Sequence, residues 1–458
     1  MESTERLCIE TAARLQEFHG PHYRQRFKKP RLKTRENKFI QKCFVRNVCV
    51  TFLRQTSRAR CTKIRAVPGA DLRSKVTYLW KEPNAPQCYR TAVSLHGHTN
   101  HSKEGLYFIP EFAARYWPLR AALASQEKLA CDLSSIRVDF WKAYWTPPLP
   151  PLAAFRLERD QIEKELGLKS MVSLSDHDNI EAAMLLRLLA EAHGIPVSVE
   201  WSVPFRDTIL HLGVHNLPGA QAQSIMADFA AYTARPNEDL LPELFTGLHD
   251  DSGILVVLNH PMWDLAGIGT ERHAHTVSGF LADLGMYIHA FELGGLRSWE
   301  ENQAVLELAE GWNQIVIAGG DRHSCEPSAV LNLTTAESFT EFVQEVRTQR
   351  RSHVLFMPQY AEPHRLRLMQ CLLDVVREYP DLPAGSQRWD ERTFHPDRAG
   401  IIRPLSALWD KPPAFIEAVF AGLRLMEFTP VKRAIQRAFG RPGHQLQFSL
   451  ASGQEVAP

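Results

Sequence analysis

The stretch AVSLHGHTNHSKEG, residues 92–105, sets a short apolar run directly against three histidines within six residues. Together with Thr91, the run TAVSL (91–95) has the length and character of a buried strand. On an extended backbone the spacing of His96 and His98 carries both imidazoles to one side. Histidine packs poorly and holds metals well, so such a cluster calls for partner ligands elsewhere in the chain.

Working outward, further β-like runs follow: MVSLS (171–175), VSVEW (197–201), ILHLGV (209–214), ILVVLN (254–259), YIHAFEL (287–293) and IVIAG (315–319). Helical patterns such as NIEAAMLLRLLAEAHG and SWEENQAVLELAEGW intervene, which predicts parallel βα units and a barrel of about seven strands rather than an open sheet. SHVLFMP (352–358) offers one more strand. Almost every run ends in, or contains, a residue able to bind a metal. Asp176 and His177 follow the second, Glu200 ends the third, His211 lies in the fourth, His260 follows the fifth, and Asp321 and His323 follow the seventh. In parallel barrels catalytic groups gather at the C-terminal ends of strands. A lone histidine after a strand is more often structural, but several at one topological position are hard to dismiss. Imidazole and carboxylate without thiolate suit Zn, Mn or Fe, and one carboxylate can bridge two ions.

The ordered set HGHTNHS, SLSDHD, VEWS, LHLG, LNHP and GGDRH, spread over residues 93 to 323, resembles the PHP superfamily, named for polymerase and histidinol phosphatase domains. The resemblance implies a distorted (β/α)7 barrel that holds two or three divalent ions, of Mn, Zn or Fe, and hydrolyses phosphate esters. It implies that His96 and His98 bind a first ion with Asp321 and a bridging Glu200. His211 and His260 would complete a second ion sharing Glu200. His177 and His323 would hold a third with Glu104, for which His101 is the competing assignment. Asp176 would orient an imidazole through its other ring nitrogen, or else cap the helix beginning near Asn179. Arg297 and Arg322 could meet a substrate phosphate or form ordinary ion pairs. His215 reads as structural or substrate-facing, and Cys325 as a small thiol near the site.

Three zones frame these motifs: a basic extension over 1–90, the barrel over 91–357 with an insertion or cap over 106–170, and a C-terminal helical appendage over 358–458. Residues 1–75 hold 19 Lys/Arg against 6 Asp/Glu, although the whole chain carries only +1. Such an arm could contact nucleic acid or remain solvated. No segment has the roughly 20 apolar residues of a membrane span, and the N-terminus lacks a secretory pattern, so a cytoplasmic protein without membrane contact is expected. The 8 cysteines form no CxxC pair, which argues against a zinc finger or a disulfide framework. The expected function is hydrolysis of a small phosphomonoester or a nucleotide. The alternatives are removal of nucleotides from RNA or DNA ends and a non-catalytic metal-binding module that supports a partner. A Ser/His/Asp hydrolase is disfavoured because no GxSxG elbow is present.

Overall fold

The computed structural model describes residues 73–106, 139–409, 414–425 and 430. The basic arm up to residue 72, residues 107–138 of the insertion and the chain end beyond residue 430 lie outside the described residues, and with them the expected nucleic-acid contact. The chain divides into two compact units. The first comprises the chain up to Ser102, Leu149–Arg322 and Pro327–Met357; the second comprises Lys103–Pro148, His323–Glu326 and the chain from Pro358. The units interleave in sequence, so the boundaries do not coincide with the zones expected from composition.

Strands β1 (Arg73–Tyr78) and β2 (Thr91–Leu95) belong to the first unit, and β3 (Glu104–Gly105) and β4 (Tyr144–Trp145) to the second. The first unit resumes with β5 (Lys169–Ser173), β6 (Val197–Phe205), β7 (Thr208–Leu217), β8 (Leu255–Asn259), β9 (Ala290–Gly294), β10 (Val316–Gly319), β11 (Val330–Thr334) and β12 (Arg351–Phe356). Its helices are α1 (Pro151–Gln161), α2 (Glu181–Leu186), α3 (Ala222–Ala234), α4 (Leu241–Asp250), α5 (Thr270–Leu284), α6 (Trp299–Trp312) and α7 (Phe339–Arg347). Local sequence explains several boundaries. Ser298 and Glu301 form a reciprocal capping box at the start of α6, and Asn313 ends it in a left-handed conformation. The helix expected over residues 179–194 is shorter: after Leu186 the backbone tightens into turns such as Leu188 N to Leu185 O and Ala192 N to Leu189 O.

Among the described residues this unit contains two five-stranded sheets, in the orders β1-β12-β11-β2-β5 and β10-β9-β8-β7-β6. The pairs β2/β5, β8/β9 and β9/β10 are parallel, as expected for βα units. By contrast, β7 runs antiparallel to both β6 and β8. Only Arg206 and Asp207 separate β6 from β7, with Arg206 at φ 52, a connection far too short for a parallel crossover. The sheets meet at two isolated parallel bridges, Gly97 with Arg322 and His177 with Glu200. Strands β2 and β5–β10 are therefore linked in a circuit, but no continuous closed ladder of the expected barrel is found among the described residues. Apolar faces from both sheets pack together around Val93, Leu95, Val257, Ile317 and Val343. A second cluster, Phe155, Val172, Leu174 and Leu186, seats α1 and α2 on β5.

The second unit holds the sheet β14-β13-β4-β3, with β13 (Thr393–Pro396) antiparallel to β14 (Ile402–Pro404) and to β4. Among its described residues, α8 (His364–Val376) and α9 (Ala414–Leu425) lie where helices were expected. The buried Arg392 guanidinium donates to the carbonyls of Val375, Arg377, Ser386 and Gln387, tying the chain after α8 into one piece. No helix among the described residues is long and apolar enough to cross a membrane.

Candidate metal centre

In the first unit the strand ends present the site, and backbone kinks aim the ligands. His96 (φ 60), His260 (φ 29) and Asp321 (φ 49) all follow a strand directly or closely and take up left-handed conformations that non-glycine residues rarely adopt. Such outliers cluster where the surroundings hold a residue in place for a purpose. His211 arrives differently. Because β7 runs opposite to β6 and β8, its early residues lie at the end where those two strands finish, and His211 is fourth in the strand. The register sets His211 opposite Ser202 on one side and Asn259 on the other.

Everything converges on Glu200, which is fully buried in β6. Its Oε2 lies 2.9 Å from His96 Nε2, 3.4 Å from His98 Nε2 and 3.3 Å from His177 Nδ1. Its Oε1 lies 3.3 Å from His211 Nδ1 and 3.1 Å from His260 Nε2. Asp321 Oδ1 closes the first side, 3.7 Å from His96 Nε2 and 3.5 Å from His98 Nε2. One ligand atom each from His96, His98, Glu200 and Asp321 lies within 4.8 Å of the others, and the same holds for His177, Glu200 and His211. The atoms His96 Nε2, His211 Nδ1 and Glu200 Oε2 are buried without a hydrogen bond of acceptable geometry. Buried polar atoms are normally satisfied, and lone pairs pointing at one another in a dry site fit a shared divalent cation.

The electrostatics agree with that fit. Burial opposes charge on Glu200, but the imidazoles of His96, His177 and His211 hold its carboxyl well below the usual range. Burial likewise disfavours a charged His96, yet Glu200 and Glu292 outweigh it and raise its pKa well above that of a free histidine. A divalent cation placed here would compete with a proton for His96. His260 is pushed down to about 3, chiefly by burial, and so remains a neutral donor.

Several supporting residues hold this set in place. The Asp176 carboxylate accepts from Thr99 N at 2.5 Å and Thr99 Oγ1 at 2.8 Å, pinning the loop that carries His96 and His98. Helix α2 has Ile180 at its N-cap position, and Asn179 Oδ1 accepts from Glu181 N. Arg322 is buried; its Nε lies 2.9 Å from Glu158 Oε1, and its Nη2 donates to the His98 carbonyl at 2.7 Å. Arg297 pairs with Asp321 Oδ2 and stacks 3.9 Å from the Trp263 ring centroid. Both arginines are thus engaged in holding ligand segments. His215 is buried two pleats beyond His211 and meets Ser173 Oγ at 2.8 Å, a structural position.

Two residues escaped the sequence reading. Glu292, inside β9, meets His96 Nδ1 at 2.5 Å. Asn259 donates to Glu200 Oε1 at 3.0 Å. A glutamate in the middle of an apolar strand, AFELG, was the available signal for the first; the second is the residue just before His260.

For the expected third ion, Glu104 and His323 meet at 3.1 Å within the second unit, beside Trp145. His177 belongs to the first unit, where Ser102 Oγ accepts from its backbone N–H. The competing His101 is engaged by Glu181 at 3.1 Å. Cys325 belongs to the second unit, where its Sγ lies 3.2 Å from the Tyr379 hydroxyl.

No family model matches the sequence. No curated protein is significantly similar to it. Among solved structures, PsfC from Pseudomonas syringae PB-5123 is 19% identical, with 48% of this chain and 88% of that one covered at a TM-score of 0.33. A candidate metal-dependent phosphoesterase from Bifidobacterium adolescentis is 12% identical, covering 44% and 90% at 0.26. An amidohydrolase from Chromobacterium violaceum with bound sulfate and no metal is 13% identical, covering 50% and 87% at 0.28. Similarity at this level does not define a shared fold, and the functional reading rests on the site itself.

Proposed function

We propose that the protein is a metal-dependent hydrolase of phosphate esters, of the PHP type, whose two bridged sheets form a distorted barrel around the site. The observation that carries this is the division of labour at Glu200, with His96, His98 and His177 on one oxygen and His211 and His260 on the other. Among the described residues that is the arrangement of a bridging carboxylate. His96, His98, Asp321 and Glu200 would hold one ion, and His211 and His260 would share Glu200 around a second. Divalent ions in such a pair acidify water to a usable nucleophile and neutralise charge on phosphoryl oxygens.

The protein's own residues do the rest. Neutral His260 keeps a lone pair available near neutral pH, Glu200 stays ionised, and the Asp176–Thr99 contact fixes the loop bearing two ligands. Arg297 reaches the site edge against Asp321 and is the cation best placed to meet a phosphoryl oxygen. A small phosphomonoester or a nucleotide is the substrate class that this chemistry favours.

The test is elemental analysis of protein purified with Mn or Zn, followed by assay on a generic aryl phosphate and a panel of nucleotides. At least about one metal per chain is expected, with activity that a chelator removes. Retained phosphatase activity in a double variant carrying His260→Ala and Asp321→Ala would overturn the proposal.

A further inference from the structure

Glu292 stands behind His96, on the side of the ring away from Glu200. It lies in the middle of β9 at 1% exposure, with Oε2 2.5 Å from His96 Nδ1. Its other oxygen, Oε1, is buried without a hydrogen-bond partner. One glycine makes room for it. A Cβ on Gly319 of β10 would clash with Glu292 Oε2 and Cδ. A side chain at position 319 is therefore incompatible with the carboxylate where it stands, which gives the first glycine of GGDRH a purpose beyond turn formation.

We propose that Glu292 is the positioning residue of this centre: by accepting the Nδ1 proton of His96 it fixes which ring nitrogen faces Glu200 and Asp321, and Gly319 is the space that permits it. An imidazole has two nitrogens, and the hydrogen bond made by one decides which lone pair is offered to a metal. The other tautomer, with its proton on Nε2, would bury that proton against Glu200 and Asp321 and leave no lone pair there. Residues in this position typically change metal affinity by about 10–100-fold. The inference rests on the metal-site reading above.

Zinc affinity, measured by chelator competition, separates the possibilities. Glu292→Met should weaken zinc binding about 10–100-fold, while Glu292→Gln, which keeps an acceptor, should restore most of the loss. Gly319→Ala should behave like Glu292→Met although it leaves Glu292 in the sequence. In the zinc-loaded wild type, the His96 Nδ1 proton should appear as a hydrogen-bonded signal by nitrogen-15 NMR and shift in Glu292→Met. A purely structural role would lower the metal-free melting temperature without separating Gln from Met in zinc affinity, and that result overturns the inference. Should Glu292→Met not fold, equal zinc affinity in Glu292→Gln and Gly319→Ala overturns it. If the wild type itself takes up no divalent ion, the metal-site reading fails first; if it does and Glu292→Met binds as tightly, the positioning role alone fails.

Discussion

Replacing Arg322 with methionine tests whether this arginine serves substrate or structure. Arg322 and Glu158 are 4% and 1% exposed, with 2.9 Å between Nε and Oε1. At an effective dielectric constant near 20, opposite charges that close attract by about 6 kcal/mol, much of it offset by desolvation. Removing only the arginine leaves Glu158 with Ser94 Oγ at 2.8 Å and Ser328 N at 3.2 Å, and strips the His98 carbonyl of a donor. Breaking one half of a buried pair costs about 3–5 kcal/mol, whereas replacing both halves by apolar or neutral groups is often nearly neutral. Arg322→Met should therefore lose about 3–5 kcal/mol in urea unfolding of the metal-free protein at pH 7.5, and the double variant with Glu158→Gln should recover most of that. The deficit has a pH signature. Burial already raises the Glu158 pKa despite Arg322, so the folded form holds its proton more tightly than the unfolded chain. Without Arg322 that shift grows, and the penalty should shrink as the pH falls toward the ordinary glutamate range and widen as it rises. A cost below about 1 kcal/mol, with a double variant no better than the single, would refute the structural role.

Three further outcomes are expected. Burial pushes His215 down to about 3, so its contribution to stability is present above the ordinary histidine pKa and is lost as the pH falls from about 6.5 toward 3; His215→Gln should flatten the acid limb of a thermal-melt series by up to about 4 kcal/mol. In Gly213→Ala, a Cβ would sit 2.8 Å from both Asn259 Oδ1 and His215 Nε2, and the displaced Asn259 should release Glu200, costing about 1–3 kcal/mol and loosening zinc in the same chelator assay. Trp263→Ala removes the ring under Arg297 and should cost about 1 kcal/mol of stability; unchanged stability and zinc binding would show that the stacking holds nothing.

The strands that carry the candidate ligands were legible because apolar, β-branched runs and their polar successors share a boundary. TAVSL matches β2 residue for residue, and IVIAG matches β10 but for its first residue. The direction of β7 was not read, although the short connection SVPFRDT between two β-like runs already precluded a crossover helix. β1 escaped because its pairing is entirely long-range, with β12 as its partner; β11 pairs both with distant β2 and with the next strand, β12. The convergence of His96, His98, Glu200, His211, His260 and Asp321 was foreshadowed by their shared place at or near strand ends. The tasks of Arg297, Arg322 and Glu292 were not, since a charged residue's partner depends on tertiary packing that periodicity does not encode. The interleaving of two units through residues 103–148 and 323–326 is likewise a property of contacts rather than composition.

The reversed β7 also bears on how the chain avoids a wrong fold. Glu200 and His211 sit on the two arms of one tight hairpin, whereas His96 and Asp321 come from distant segments. A hairpin can close in microseconds, long before contacts of large sequence separation form. A slip of one residue in its pairing would turn one arm's side chains to the opposite face. Glu200 and His211 could then no longer point into the same space, and a divalent ion would find half a site. Only the observed register brings Glu200 and His211 together, so the proposed ion would favour that pairing over its slips.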